Sequence, residues 1–203
     1  MVSTANEELT GLANSIRTKA NTTDKMTIVE MTEAVENLSI GVDNSEFLSL
    51  LTDTPTTGYT ITIPEGITEL KKGCFYNATY LLEVTIPESV TELSNECFYK
   101  CSRLSKITIP KTATIIPEDC FYQCRSLLEV TIPETVTEIS ASAFCYCSSL
   151  IKIVIPDSVT WMGEEIFSGC STLTDITLSE NLMYLNTMCF MNCSSLESIT
   201  LPS

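Results

Sequence analysis

Apolar and polar residues recur along this chain with a period of 23 residues. Phenylalanine marks the period at Phe75, Phe98, Phe121, Phe144, Phe167 and Phe190. Proline repeats it at Pro64, Pro87, Pro110, Pro133, Pro156 and, after Ser179 interrupts the series, Pro202. A fixed period of this length predicts a solenoid, in which each repeat forms one turn of a stacked array. Six turns are expected, at about 58–80, 81–103, 104–126, 127–149, 150–172 and 173–195, followed by half a turn.

Each turn contains a short alternation of β-branched residues immediately before the proline. In the second turn it runs from Val84 through Thr85 and Ile86 to Pro87. Such alternation predicts a strand with one buried face, and proline ends it because it has no N–H for a ladder bond. Stacked turns would form a parallel sheet along one side, with strands about 4.8 Å apart. The leading leucines, the other apolar columns and the phenylalanines are expected to fill the interior.

The outward columns of this sheet are the first candidate ligand site. One column is threonine: Thr62, Thr85, Thr108, Thr131, Thr177 and Thr200, with Val154 as the exception. Two positions earlier the charge alternates: Glu83, Lys106, Glu129, Lys152 and Asp175, then Ser198. Opposite charges on adjacent strands stabilise a sheet by about 0.2–1 kcal/mol per pair, so these columns serve either register or a ligand. The ligand-site prediction comprises Glu83, Thr85, Lys106, Thr108, Glu129, Thr131 and Lys152.

A second candidate site is the tyrosine column formed by Tyr76, Tyr99 and Tyr122, each directly after a phenylalanine. Exposed tyrosine favours recognition, whereas tyrosine partly buried between turns would only pack. Acidic residues also recur after the prolines, for example Glu88 and Glu134. Calcium needs several converging oxygens, so a solvated acidic face is expected there rather than a metal site.

Nine of the ten cysteines fall in two columns beside the phenylalanines. Four directly precede a phenylalanine and five lie three positions after one: Cys74, Cys97, Cys120 and Cys189, then Cys101, Cys124, Cys147, Cys170 and Cys193. Alanine and isoleucine occupy the same columns in other turns, so these cysteines are expected to be reduced and buried as small apolar residues. Disulfides and a metal site are the alternatives, although the C-x₃-C spacing does not match zinc ribbons. Cys145 lies outside both columns.

The first sixty residues do not follow the period. Helical spacing of apolar residues predicts two short helices within residues 1–40, and residues 41–60 are expected to be a linker that docks on the first turn. Residues 61–203 form the predicted solenoid.

Composition excludes several functions. The net charge is −15, with 26 acidic and 11 basic residues, so no basic footprint for nucleic acid exists. The chain has no histidine, which removes the commonest general base, and no catalytic residues or cofactor are predicted. No stretch reaches the roughly 20 apolar residues of a membrane span, and the N-terminus has no secretory pattern. Membrane insertion is therefore not expected.

The repeat Leu127–Ser149 closely resembles the BspA-like leucine-rich repeat, through Leu127, Val130, Ile132, Pro133, Val136, Ile139, Phe144 and Cys147. The resemblance covers about 140 residues. It implies an α/β solenoid, a right-handed leucine-rich-repeat array with a parallel sheet face, and surface adhesion or partner binding without catalysis.

The segment from Leu9 to Met31 resembles short helical segments in tail-associated and fibre-like proteins of phages and prophages of Firmicutes. This resemblance implies a receptor-facing tail module that binds a bacterial surface protein or glycan. The alternative is a cell-surface adhesin of the BspA type that binds host proteins. The expected location is accordingly a virion or the cell surface.

The chain reaches Ser203 just after the expected strand of a seventh turn. An open last turn exposes core side chains and a strand edge. The sequence therefore predicts either self-association through this end or a longer array.

Overall fold

The computed structural model describes residues 58–63 and 66–201. The predicted helices of residues 1–40 and nearly all of the predicted linker lie outside these residues. The described part contains ten short strands and no helix, so the helical component of the predicted α/β class is not shown. The strands are β1 (Tyr59–Thr62), β2 (Glu69–Leu70), β3 (Leu81–Thr85), β4 (Glu92–Leu93), β5 (Lys106–Thr108), β6 (Ile115–Ile116), β7 (Glu138–Ile139), β8 (Lys152–Val154), β9 (Trp161–Met162) and β10 (Asp175–Thr177).

The strands form two parallel ladders, and successive turns pair in register at an offset near 23 residues. The main sheet contains the predicted strands: β1, β3 and β5 pair in order, and β8 pairs with β10. The register places Glu83 beside Lys106 and Thr85 beside Thr108. Inward residues are buried and outward residues are exposed, for example Val84 against Thr85. The predicted parallel sheet and its alternation are therefore confirmed.

Two predicted strands of the main sheet are not formed. In the fourth turn only a single bridge, Glu129 to Lys152, replaces a strand. Within the described residues, no backbone hydrogen bond joins this segment to β5, so the sheet is interrupted between the third and fourth turns. The segment at Glu197–Leu201 is also not a strand, although Leu196 and Ile199 still pack against the core. The expected seventh strand was therefore wrong, because apolar anchoring persists there without ladder pairing.

A second ladder, which was not predicted from the sequence, runs along another side of the solenoid. It consists of two-residue strands, β2 paired with β4, and β6, β7 and β9 paired in order. Each contributes one outward residue and one buried apolar residue, as in Glu92 and Leu93. The buried members are the Leu/Ile/Met column that the sequence assigned to the interior.

The third side of each turn is a compact loop around the phenylalanine. The residues two before and two after it have left-handed φ values in every turn, for example Glu96 (61°) and Lys100 (58°) around Phe98. Phe98 N–H donates to the Cys120 carbonyl in the next turn (2.9 Å). Adjacent phenylalanine rings stack with centroids 5.3–5.8 Å apart and interplanar angles of 3–12°. This stack is continuous through all six turns.

Candidate functional site

The outward face of the main sheet, called here the strand face, holds the seven predicted residues Glu83, Thr85, Lys106, Thr108, Glu129, Thr131 and Lys152. All seven are exposed. The ladder brings them together in two groups, because the sheet is interrupted after β5. Glu83 pairs in register with Lys106, and Glu129 pairs with Lys152 across the isolated bridge.

The predicted charge alternation produces fewer ion pairs than expected. Along this column of the described residues, only Lys152 and Asp175 close to salt-bridge distance, at 2.7 Å. Both side chains of that pair are more than half exposed, and exposed pairs contribute little to stability. The remaining carboxylates and ammonium groups of the strand face are thus available to a partner.

The three predicted tyrosines form a stack of their own. The ring centroids of Tyr76 and Tyr99 are 4.8 Å apart, and those of Tyr99 and Tyr122 are 4.7 Å apart, with nearly parallel planes. All three side chains are half-buried. Because ring faces are used against each other, the middle ring has no free face for stacking with a ligand. The tyrosines can therefore offer hydroxyl groups and ring edges rather than a stacking platform.

Tyr146 extends this stack and was not predicted. Its ring meets Tyr122 edge-on at 5.8 Å, and it lies one position later in its turn because Cys145 takes the tyrosine position. In the next turn Gly169, with φ +75°, lies against the Tyr146 ring; a Cβ there would approach the ring to 2.5 Å. Two features of the sequence could have indicated this contact: Cys145 in place of the column's tyrosine, and Gly169 one turn after Tyr146.

Acidic residues run alongside the tyrosines. Burial and the neighbouring carboxylates of Glu118, Glu96 and Glu165 raise the pKa of Asp119 to about 6. Burial also raises the pKa of Tyr99, with further contributions from Tyr122 and Tyr76 and then from Asp119 and Glu96. The loop side of the solenoid is therefore a negatively charged, aromatic ridge.

The cysteines are buried and free, as predicted. Five thiols donate to the carbonyl of the phenylalanine one turn earlier: Cys101 to Phe75 (3.0 Å), Cys124 to Phe98 (3.2 Å), Cys147 to Phe121 (3.2 Å), Cys170 to Phe144 (3.2 Å) and Cys193 to Phe167 (3.0 Å). Burial raises the pKa of the Cys124 and Cys147 thiols well above the ordinary value. Protonated thiols of this kind are packing and hydrogen-bonding groups, not nucleophiles.

In the described ranges, no group of His, Cys, Asp and Glu side chains is arranged to hold a metal ion. No helix in that part of the chain has the length and hydropathy needed to cross a bilayer.

A groove lies elsewhere, on the second ladder. It has a volume of about 610 Å³, and Glu92, Thr114, Ile115 and Glu138 are among the residues that line it. This groove was not predicted from the sequence. Two residues in the sequence could have indicated it. Ile115 stands where the turns before and after have glutamate, and Pro117 stands where they have serine.

Comparison with known sequences identifies the repeat. Residues 56–148 and 91–203 match the family described as BspA type leucine rich repeat region, in six copies. No curated protein matches the chain.

Solved structures of leucine-rich repeat proteins resemble the solenoid. One from Bacteroides ovatus is 27% identical with a TM-score of 0.68, over 70% of this chain and 39% of that one. The T. pallidum leucine rich repeat protein is 24% identical with a TM-score of 0.58, over 69% of this chain and 78% of that one. A leucine rich cell surface protein from Faecalibacterium prausnitzii is 28% identical with a TM-score of 0.45, over 70% of this chain and 47% of that one. This chain thus spans well under half of the Bacteroides ovatus protein.

Proposed function

Because the chain belongs to the BspA-type leucine-rich repeat family, we propose that it is a non-enzymatic recognition module that binds a protein or glycan on a cell surface. No enzyme family is indicated by the comparisons. The observation that carries the proposal is the strand face, where seven polar side chains stand exposed in two groups, one on each side of the interruption in the sheet.

The physical advantage of such a face is its rigidity. Side chains held on stacked strands lose little further backbone freedom on binding, so more of the contact energy appears as affinity. Alternating charges at a spacing of about 4.8 Å per turn would select a partner with the complementary alternation. Tyr76, Tyr99 and Tyr122 would contribute hydroxyl groups from the loop side.

The more specific proposal is a receptor-facing part of a phage or prophage tail that binds a bacterial surface protein or glycan. Its support is the resemblance of residues 9–31 to tail-associated segments. The rival is a BspA-type adhesin that binds host proteins, and its support is the repeat family itself.

The test uses the full chain, fluorescently labelled, on Firmicutes cells and on immobilised host extracellular proteins. Saturable binding to cells that protease or periodate abolishes supports the tail proposal and tells protein from glycan. Binding only to host proteins supports the adhesin. Binding to neither overturns the proposed function.

A matched pair of variants locates the contact. Glu83→Lys with Glu129→Lys reverses two charges on the strand face, and Glu164→Lys with Glu197→Lys reverses two exposed charges elsewhere. Loss of binding, tenfold or more, in the first variant alone is expected. Equal loss in both would show that net charge, not the strand face, governs binding.

A further inference from the structure

The groove on the second ladder is located where that ladder is broken. Between most neighbouring turns the backbone bonds repeat: Thr91 N–H donates to Thr68, and Thr137 N–H to Thr114, both at 2.9 Å. The next bond along also repeats, with Ser94 N–H donating to Leu70 and Ser140 N–H to Ile116. Between the second and third turns, however, β4 and β6 do not pair.

Proline explains the break. Position 117 is where the adjacent turns carry Ser94 and Ser140, and Pro117 has no N–H to donate to the Leu93 carbonyl. Within the described residues, no hydrogen bond reaches the carbonyl oxygens of Thr91 or Leu93. Both residues line the groove, so two backbone acceptors are left for solvent or a ligand.

The floor and sides of the groove differ in polarity. Ile115 is outward-facing and 43% exposed, and it is the apolar member of a column with Glu92 before it and Glu138 after it. The two glutamates come from the turn before and the turn after Ile115, so they flank the isoleucine on opposite sides. The Glu92 carboxylate has no hydrogen bond or ion pair among the described residues, whereas the Glu138 carboxylate accepts one bond from Ser140 (3.0 Å) and retains acceptor capacity.

The groove is rich in acceptors and poor in positive charge. Among the described residues that line it, the one basic side chain is Lys72, which is held by Glu96 at 2.9 Å. Two carboxylates, two carbonyls and an aliphatic floor match one kind of side chain: an apolar stem that ends in a cluster of N–H donors. Lysine and arginine have this construction, because their stems pack on apolar surface while the charged head is solvated or paired.

We propose that this groove is a second binding site, which receives an arginine or lysine side chain of a partner protein. The stem packs on Ile115, and the cationic head is held between Glu92 and Glu138 and by the Thr91 and Leu93 carbonyls. Only the origin of that side chain, a partner protein, rests on the proposed function. The site itself lies away from the strand face and is tested without any cell-binding assay.

The test is a titration of the isotope-labelled full chain with N-acetyl-arginine methylamide, followed by amide chemical shifts. The matched ligand is N-acetyl-norleucine methylamide, which has an aliphatic stem and no charge. Saturable shifts at Glu92, Thr114, Ile115 and Glu138 with the arginine probe are expected, with at least tenfold weaker response to norleucine. Absence of saturable shifts there, or equal response to both probes, would overturn the proposal.

Two variants sharpen the result. Glu92→Gln with Glu138→Gln should weaken the arginine probe tenfold or more, whereas Glu83→Gln with Glu129→Gln, the same charge change on the strand face, should alter it less than twofold. Ile115→Lys places a competing cation in the groove and should abolish binding. Equal weakening by both glutamine pairs would mean that the probe senses only the overall charge, and the proposal would be abandoned.

A neutral trisaccharide of N-acetylglucosamine serves as the competing chemistry. If it shifts the groove amides while the arginine probe does not, the site is a glycan site and the proposal fails. Thermal unfolding within a few degrees of the parent chain confirms that each variant is folded. If the parent chain binds the arginine probe but binds neither cells nor host proteins, the proposed function is rejected while the arginine site is supported.

Discussion

The phenylalanine loops and the second ladder follow the same 23-residue period, but only the loops are continuous from turn to turn. In the loops, stacked rings and left-handed residues repeat in each turn, and a thiol-to-carbonyl bond joins each turn from the second to the sixth to the turn before it. The second ladder pairs β2 with β4 and then β6, β7 and β9 in order, but the β4–β6 pairing is lost where Pro117 removes one donor, and in the described residues β9 has no strand partner in the sixth turn. Interior periodicity therefore fixes the stacking, while single outward substitutions decide where the surface opens.

The reason for the difference is energetic. An interior ring touches the turns before and after it, so a change costs several kcal/mol. A ladder bond at the surface is worth about 0.5–1.5 kcal/mol, because water replaces the lost partner. A ladder at the surface can thus lose a hydrogen bond at a cost that the interior could not tolerate. The lost bond leaves a backbone carbonyl without its donor.

The largest expected effect comes from breaking the phenylalanine stack. Phe121→Ala should reduce the free energy of unfolding by about 3–5 kcal/mol, because the ring is fully buried between Phe98 and Phe144. Chemical denaturation monitored by circular dichroism measures this. Thr108→Ala, on the exposed face of β5, is the control and should change stability by about 0.5 kcal/mol or less. Similar losses in both variants would contradict the contrast between interior and surface.

A smaller loss of stability is expected from a substitution at Gly169, in the phenylalanine loop of the fifth turn. Gly169→Ala should cost about 1–3 kcal/mol, since alanine is strained at φ +75° and its Cβ would strike the Tyr146 ring. Tyr146→Ala should relieve the ring clash but not the backbone strain, so the double variant should recover part of the loss. Denaturation of the two single variants and the double variant gives this coupling, and strict additivity would argue against the contact.

The ladder break can be closed at its cause. Pro117→Ser introduces the residue of the adjacent turns and supplies an N–H for the Leu93 carbonyl. The new bond stabilises by about 0.5–1.5 kcal/mol, while losing proline's restriction of the unfolded chain costs about 0.4–1 kcal/mol, so stability should change little. Amide exchange is the informative measurement: the new amide at position 117 should be protected as strongly as that of Ser140. Rapid exchange would show that the third turn is held apart by something other than proline.

Much of the fold could be predicted because the period makes each column an internal comparison. The turns, the parallel strands, the buried phenylalanines and the free cysteines all follow from that comparison. The cysteines were predicted as small apolar residues, and their hydrogen bonds to phenylalanine carbonyls were not foreseen because a column of side chains does not reveal where backbone carbonyls point.

The candidate site was less predictable for a related reason. Exposure of Glu83 and its column neighbours follows from strand alternation, and the structure places them as expected. The sequence did not predict the absence of the fourth and seventh strands, or the groove. These features depend on whether two particular turns pair, and a comparison of whole columns does not show that. Pro117 and Ile115 differ from the residues at the same positions in the adjacent turns. Such differences indicate where the surface of the array opens into a groove.

The smallest predicted effect concerns the acidic ridge beside the tyrosines. The folded-state pKa of Asp119 is raised to about 6 by burial and by Glu118, Glu96 and Glu165, whereas an aspartate in the unfolded chain has a pKa near 3.9. Between these values the folded state binds more protons, so stability should fall as pH rises through about 4 to 6 and remain lower above that. The residue is half-buried, and screening by the solvent that still reaches it limits the effect to about 1 kcal/mol or less. Asp119→Asn should therefore be more stable than the parent chain at pH 7.5. This advantage should disappear near pH 3.5, where Asp119 is mostly protonated in both the folded and the unfolded chain. Unfolding curves at the two pH values measure the difference, with Glu197→Gln, an exposed carboxylate with no such cluster, as control. An unchanged or lowered stability of Asp119→Asn at pH 7.5 would mean that the ridge tolerates its charge, and that its carboxylates do not repel one another as their arrangement requires.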